Sequence, residues 1–107
     1  MKKDSLGHFE QLVLTAILNL KEGAYGAAIH TKVSDLEGVR SVNLGSVYVT
    51  LDRLQDKGYV TSHFADPSPE RGGKARRYFK LEAAGETVLK ETIEQQKRLR
   101  EAAEGVW

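Results

Sequence analysis

Apolar residues recur along this chain with two different rhythms. Over LGHFEQLVLTAILNLK, Phe9, Val13, Ala16, Ile17 and Leu20 fall at helical spacing, and Leu12, Leu14 and Leu18 widen the apolar face beyond a single stripe. This predicts a first helix that needs cover on several sides. Gly23 interrupts it, and Tyr25, Ala28, Ile29, Val33 and Leu36 then give a second amphipathic helix that stops near Gly38. A third run begins near Asn43, whose side chain can cap free amide groups, and continues through LGSVYVTLDRLQDKG to Gly58, a left-handed C-terminal residue. Within it Leu44, Val47, Leu51 and Leu54 mark the buried face. That turns Ser46, Val49, Thr50 and Arg53 largely to the opposite side and leaves Tyr48 at the border.

After Gly58 the period drops to two. Tyr59, Thr61 and His63 alternate with Val60, Ser62 and Phe64, which predicts a half-buried strand. DPSPERGG is a turn, ARRYFKL is a second strand, and the pair reads as a β-hairpin with a long tip. From Glu82 to about Glu104 the chain reads as one long helix. Its Leu89, Ile93, Leu99, Ala103 and Val106 form a thin apolar seam among many charges.

A length of 107 residues suits one core and not two. A hydrophobic fraction of 40% with 29% charged residues is that of an ordinary soluble globular protein. No apolar run is long enough to span a bilayer, and the opening MKKDSLGHFEQ lacks the pattern of a signal peptide, so the expectation is a cytoplasmic protein with no membrane partner. The absence of cysteine excludes disulfides, cysteine-ligated zinc and thiol catalysis. His8, His30 and His63 are scattered without metal-ligand spacing, so neither a metal nor another cofactor is expected. In the last helix Glu91, Glu94, Glu101 and Glu104 interleave with Lys90, Lys97, Arg98 and Arg100, as on a salt-bridged solvent face. No nucleophile and base are paired, and no phosphate-cradling glycine loop leads into a helix. The chain does not read as an enzyme.

Charge changes the picture most at the hairpin tip. Glu70 to Lys80 holds five cations, Arg71, Lys74, Arg76, Arg77 and Lys80, against one carboxylate, in a chain whose net charge is only +1. Three helices followed by a two-stranded hairpin is the order of a winged helix-turn-helix, in which the third helix enters the major groove and the hairpin lies along the backbone. A cationic tip there gains affinity by releasing counterions from phosphates, and Gly72 and Gly73 remove side-chain bulk where the chain must come close. A solvated charged loop carries such runs too; the place of this one in the fold favours phosphate contact. Arg76 and Arg77 cannot both point the same way in a strand, which leaves one of them a structural role.

On the third helix, the candidate DNA contacts are Asn43, Ser46, Tyr48, Val49, Thr50 and Arg53. The hydroxyls suit phosphates, Val49 suits a thymine methyl, and Arg53 suits a phosphate or a guanine edge. Pairing of Arg53 with Asp52 or Asp56 within the helix is the competing reading. The fold expected is mainly α with a small β-hairpin: a winged helix-turn-helix over residues 1–81, and a long C-terminal dimerisation helix over 82–107, together forming one compact unit. The rival from another class is a winged-helix protein-interaction module that does not bind DNA, against which the basic tip counts.

Four stretches, LGHFEQLVLTAIL, AYG at 24–26, GSVYVTLDRLQDKGYV at 45–60 and ERGGKARRYFKLEAAGE at 70–86, resemble the PadR family of bacterial transcriptional regulators, over nearly the whole chain and in the family's order. The resemblance implies a homodimer in which the last helix packs on the partner's first helix, a repressor role, and the short branch with one helix after the wing. Physical chemistry points the same way, since Leu89, Ile93, Leu99 and Ala103 could cover Phe9, Leu12, Val13 and Ile17 of a second copy. A twofold dimer implies an inverted-repeat operator in double-stranded DNA. Some short members bind planar aromatic compounds between subunits through a tryptophan within the last helix. The single tryptophan here, Trp107, lies at the extreme end, so an effector is expected only as an addition to DNA binding, with its chemistry unspecified.

Overall fold

The computed structural model describes residues 6–38, 41–65 and 75–107. Its elements run α1 (His8–Leu20), a 3₁₀ turn (Lys21–Gly23), α2 (Gly26–Glu37), α3 (Leu44–Asp56), β1 (Val60–Phe64), β2 (Arg77–Leu81) and α4 (Ala83–Glu104). This is a mainly helical winged fold with a two-stranded antiparallel wing and a long C-terminal helix.

Each helix buries the stripe its sequence offers. α1 contributes Val13, Leu14, Ala16 and Ile17, α2 contributes Ile29 and Val33, and α3 contributes Val47, Leu51 and Leu54, all within one cluster closed by Val60, Phe79 and Leu89. A fully buried Leu or Ile of this kind stabilises the fold by roughly 1.5–3 kcal/mol, so this cluster is what holds three short helices together. At the start of α1, the Glu10 carboxylate accepts from the Gly7 N–H at 2.9 Å and pairs with Lys57 Nζ at 3.0 Å. Glu10 is thereby buried with both a cap and a counter-charge, as a buried carboxylate requires.

The core also corrects the expected dimer surface. Val13 is 0% exposed, while Ile17 and Leu89 are each 2% exposed, so all three are used by the chain's own core and are closed to a partner. α1 is apolar on several sides because α2, α3 and the first turns of α4 cover it within one subunit. Phe9 and Leu12 remain half-buried at its edge, Ala103 is also half-buried, and Ile93 and Leu99 are exposed.

The strands pair in the register Val60↔Leu81 through Phe64↔Arg77. A third segment that the alternation did not predict joins them: Phe79 N–H donates to Ala24 O at 2.8 Å, and Tyr25 bridges Tyr78. Tyr25 therefore precedes α2 as its N-cap residue and does not lie inside it. Gly58 takes φ 80, the left-handed conformation expected where α3 hands over to β1. At Gly85 a side chain would collide with the carbonyl oxygen of Tyr59, so a glycine there lets α4 start directly against the base of the wing. Beyond Leu89 no residue of α4 is buried, and the molecule measures 57 × 35 × 21 Å.

Candidate nucleic-acid interface

The third helix is set in place at its first turn. Asn43 Oδ1 accepts from the Ser46 N–H at 3.1 Å, which commits that side chain to capping. Just before it, the Val42 carbonyl oxygen lies 2.6 Å from His30 Nε2, so a ring N–H on α2 anchors the turn that delivers α3. Tyr48 is wedged against Gly26, where any β-carbon would clash with its phenol, yet the residue stays 40% exposed.

The open face of α3 carries Ser46, Val49, Asp52 and Arg53, all exposed. Among the described residues no carboxylate pairs with Arg53, so its guanidinium is available to a ligand. Thr50 does not belong to this set. It is 5% exposed and lies beside Val47, Leu51 and Leu54 on the core side, which corrects its assignment as a contact. Leu44, expected in the core, is 45% exposed. Both residues flank the centre of the buried stripe, and position along the helix decides between them: Thr50 sits mid-helix under neighbouring elements, whereas Leu44 is the first residue, beyond their edge.

On the wing, adjacent arginines diverge as a strand demands. Arg76 lies over the Tyr25 ring, 3.9 Å from its centroid. Tyr25 meets Tyr78 edge-on at 5.7 Å, and His63 stacks on Tyr78 at 5.9 Å. A cation held on an aromatic face keeps its charge and loses freedom, so Arg76 is a pre-ordered positive group. Arg77 points the other way, into α3. Its Nε donates to Ser62 Oγ and its Nη2 to Gln55 Oε1, each at 3.1 Å, while Nη1 stands 3.8 Å from Asp52 Oδ1. Arg71, Gly72, Gly73 and Lys74 lie outside the described residues.

Single-sequence reading missed the aromatic stack and the Arg77 cluster. Alternation within each strand does not relate His63 to Tyr78; only the pairing register sets them opposite one another on one face of the sheet. Tyr25 had no strand signal at all, because it joins the sheet through one bridge. Among the described residues no group of acidic and histidine side chains could hold a metal ion, and no helix is long and apolar enough to cross a membrane.

Known proteins share this architecture. A PadR family regulator from Clostridium difficile matches with a TM-score of 0.74 at 19% identity, over 92% of this chain and 97% of its own. A PadR-like transcription factor from Bacteroides fragilis matches with a TM-score of 0.72 at 26% identity, over 92% and 88%. The Aeropyrum pernix ORC1 protein in complex with DNA matches with a TM-score of 0.64 at 29% identity, over 80% of this chain and 24% of its own. No curated protein matches the sequence. Residues 13–91, from the first helix through the wing into the last helix, match the transcriptional regulator PadR-like family, and the chain belongs to that family.

Proposed function

We propose that this regulator is a homodimeric, sequence-specific DNA-binding repressor that acts in the cytoplasm. Residues 1–81 form its DNA-binding unit and residues 82–107 its dimerisation helix. The observation that carries the reading is the open stripe of α3, with Ser46, Val49 and an Arg53 that no described carboxylate pairs, beside a wing whose Arg76 is held ready on Tyr25. A helix with a capped N-terminus and short polar side chains fits a major groove, and the wing cations fit the flanking phosphates. The likeness of this fold to part of the Aeropyrum pernix ORC1 protein, solved in complex with DNA, supports the same reading.

Dimerisation rests on α4 and the residues just after it, where Ile93 and Leu99 on the helix and Val106 and Trp107 beyond its end stand exposed at 45, 64, 86 and 93%. A helix with so little of its own core is marginal in water, and a second copy offers matching apolar surface. The operator is then an inverted repeat with half-sites about one helical turn apart. An effector bound between subunits would act by changing that geometry.

The test is selection of DNA from a randomised duplex pool by the purified protein, followed by titration at several salt concentrations. Enrichment of an inverted repeat, with log affinity falling by about 0.9 per neutralised phosphate for each unit of log salt, is the expected result. No enrichment, with weak binding that ignores salt, would overturn the DNA reading in favour of a protein-interaction module.

A further inference from the structure

Neighbouring arginines on β2 face different surroundings, and their roles divide accordingly. Arg76 lies over Tyr25, half-buried and with no side-chain hydrogen bond among the described residues, so a phosphate oxygen can pair with it without displacing one there. The Arg77 side chain is only 32% exposed. Its guanidinium meets a closed polar cluster: Ser62 Oγ donates to Gln55 Oε1 at 2.8 Å and accepts from Arg77 Nε, while the same Gln55 oxygen accepts from Arg77 Nη2. The Gln55 oxygen accepts from both Ser62 Oγ and Arg77 Nη2, so the amide of Gln55 is oriented with its oxygen toward the wing. The cluster spans α3 through Gln55 and Asp52, β1 through Ser62 and β2 through Arg77.

Asp52 adds a second consequence. It is 69% exposed on the open side of α3, next in sequence to Arg53. An uncompensated carboxylate there would repel the phosphates that α3 must approach. Arg77 supplies the compensating charge from behind, at 3.8 Å.

Resting on the DNA-binding reading above, we infer that Arg77 is a positioning residue and not a phosphate contact: it locks the wing to α3 through Gln55 and Ser62 and cancels the charge of Asp52. To bind a phosphate itself, Arg77 would have to leave two hydrogen bonds and strip Asp52 of its counter-charge, while the Arg76 side chain gives up no hydrogen bond among the described residues. The wing and the third helix therefore meet DNA as one rigid unit.

The experiment uses full-length protein and two probes, the duplex enriched from the randomised pool by the wild type and a scrambled duplex of equal length. Arg76→Ala should flatten the salt slope by about 0.9, the share of one phosphate. Arg77→Ala should weaken binding to the enriched duplex about tenfold, with a smaller loss on the scrambled one, because relative orientation and not charge is lost. Arg77→Lys should not restore it, since a single ammonium cannot make the forked contact. In the Arg77→Ala background, Asp52→Asn should raise affinity about fivefold, against less than about twofold in the wild type, and the double variant should keep the wild-type salt slope.

A slope flattened in that double variant, or an Asp52→Asn effect equal in both backgrounds, would overturn the inference and make Arg77 an ordinary phosphate contact. If Arg77→Ala does not fold, Gln55→Ala and Ser62→Ala give the same reading, as each should lower the preference for the enriched duplex at unchanged slope. A wild-type chain that binds neither duplex overturns the DNA-binding reading instead, which separates the two failures.

Discussion

α1 and α4 are both amphipathic, yet they are held in place by different means. Of the 13 residues of α1, five are buried, and they meet α2, α3, α4 and the wing. Of the 22 residues of α4, only Gly85 and Leu89 are buried, both in its first two turns. Past Leu89 the helix is supported by ion pairs along its own surface, Lys90 with Glu86 at 3.1 Å and Arg100 with Glu104 at 3.8 Å, and by a reciprocal amide pair between Gln11 and Gln96 at 2.8 and 2.7 Å. Exposed pairs of this kind contribute roughly 0.2–1 kcal/mol each, far less than one buried leucine. The contrast teaches that α1 owes its form to the body of its own subunit, whereas the outer turns of α4 bury little within it.

Substitutions can break that contrast or sharpen it. The largest effect is expected at Ile17, where truncation to alanine should lower the unfolding free energy by about 2–5 kcal/mol in urea denaturation, because a closed core cannot collapse around the void. A loss below 1 kcal/mol, on the order of a surface change, would mean that α1 is not held as described. Leu99→Ala should instead leave the subunit folded and weaken self-association about tenfold, equivalent to about 1.4 kcal/mol, in sedimentation equilibrium. Wild-type melting that does not depend on protein concentration would remove the need for a partner altogether. The smallest effect belongs to Gln96→Ala, which deletes the amide pair with Gln11 and should cost less than about 1 kcal/mol. A larger cost would show that the outer part of α4 is anchored within its own subunit after all.

How far the sequence could be read follows the same division. Helical rhythm in α1 and α3 gave both elements and most of the core, because the residues each helix buries recur at helical spacing. Thr50 and Leu44 escaped that reading since they flank the stripe, and only the positions of neighbouring elements separate them. Val13, Ile17 and Leu89 were assigned to a partner because a wide apolar face looks the same whether its cover comes from the same chain or another. Asn43, by contrast, could be read as a cap directly, for its bond to Ser46 spans three residues. Arg77 and Gln55 lie 22 residues apart, and nothing periodic joins them. The basic stretch marked the wing but could not sort Arg76 from Arg77, since that depends on which strand face meets α3.

The bond from Phe79 N–H to Ala24 O has a consequence for the order in which the molecule assembles. The hairpin of β1 and β2 closes a short loop and can form early, but its junction with Ala24 must enclose the whole of α2 and α3. Loop closure of that size costs more entropy than a hairpin turn, and contacts at long sequence separation slow folding. The junction of the wing with Ala24 is therefore expected to form more slowly than the hairpin itself. The edge where Tyr25 meets Tyr78 belongs to the slow part of folding, and the hairpin alone to the fast part.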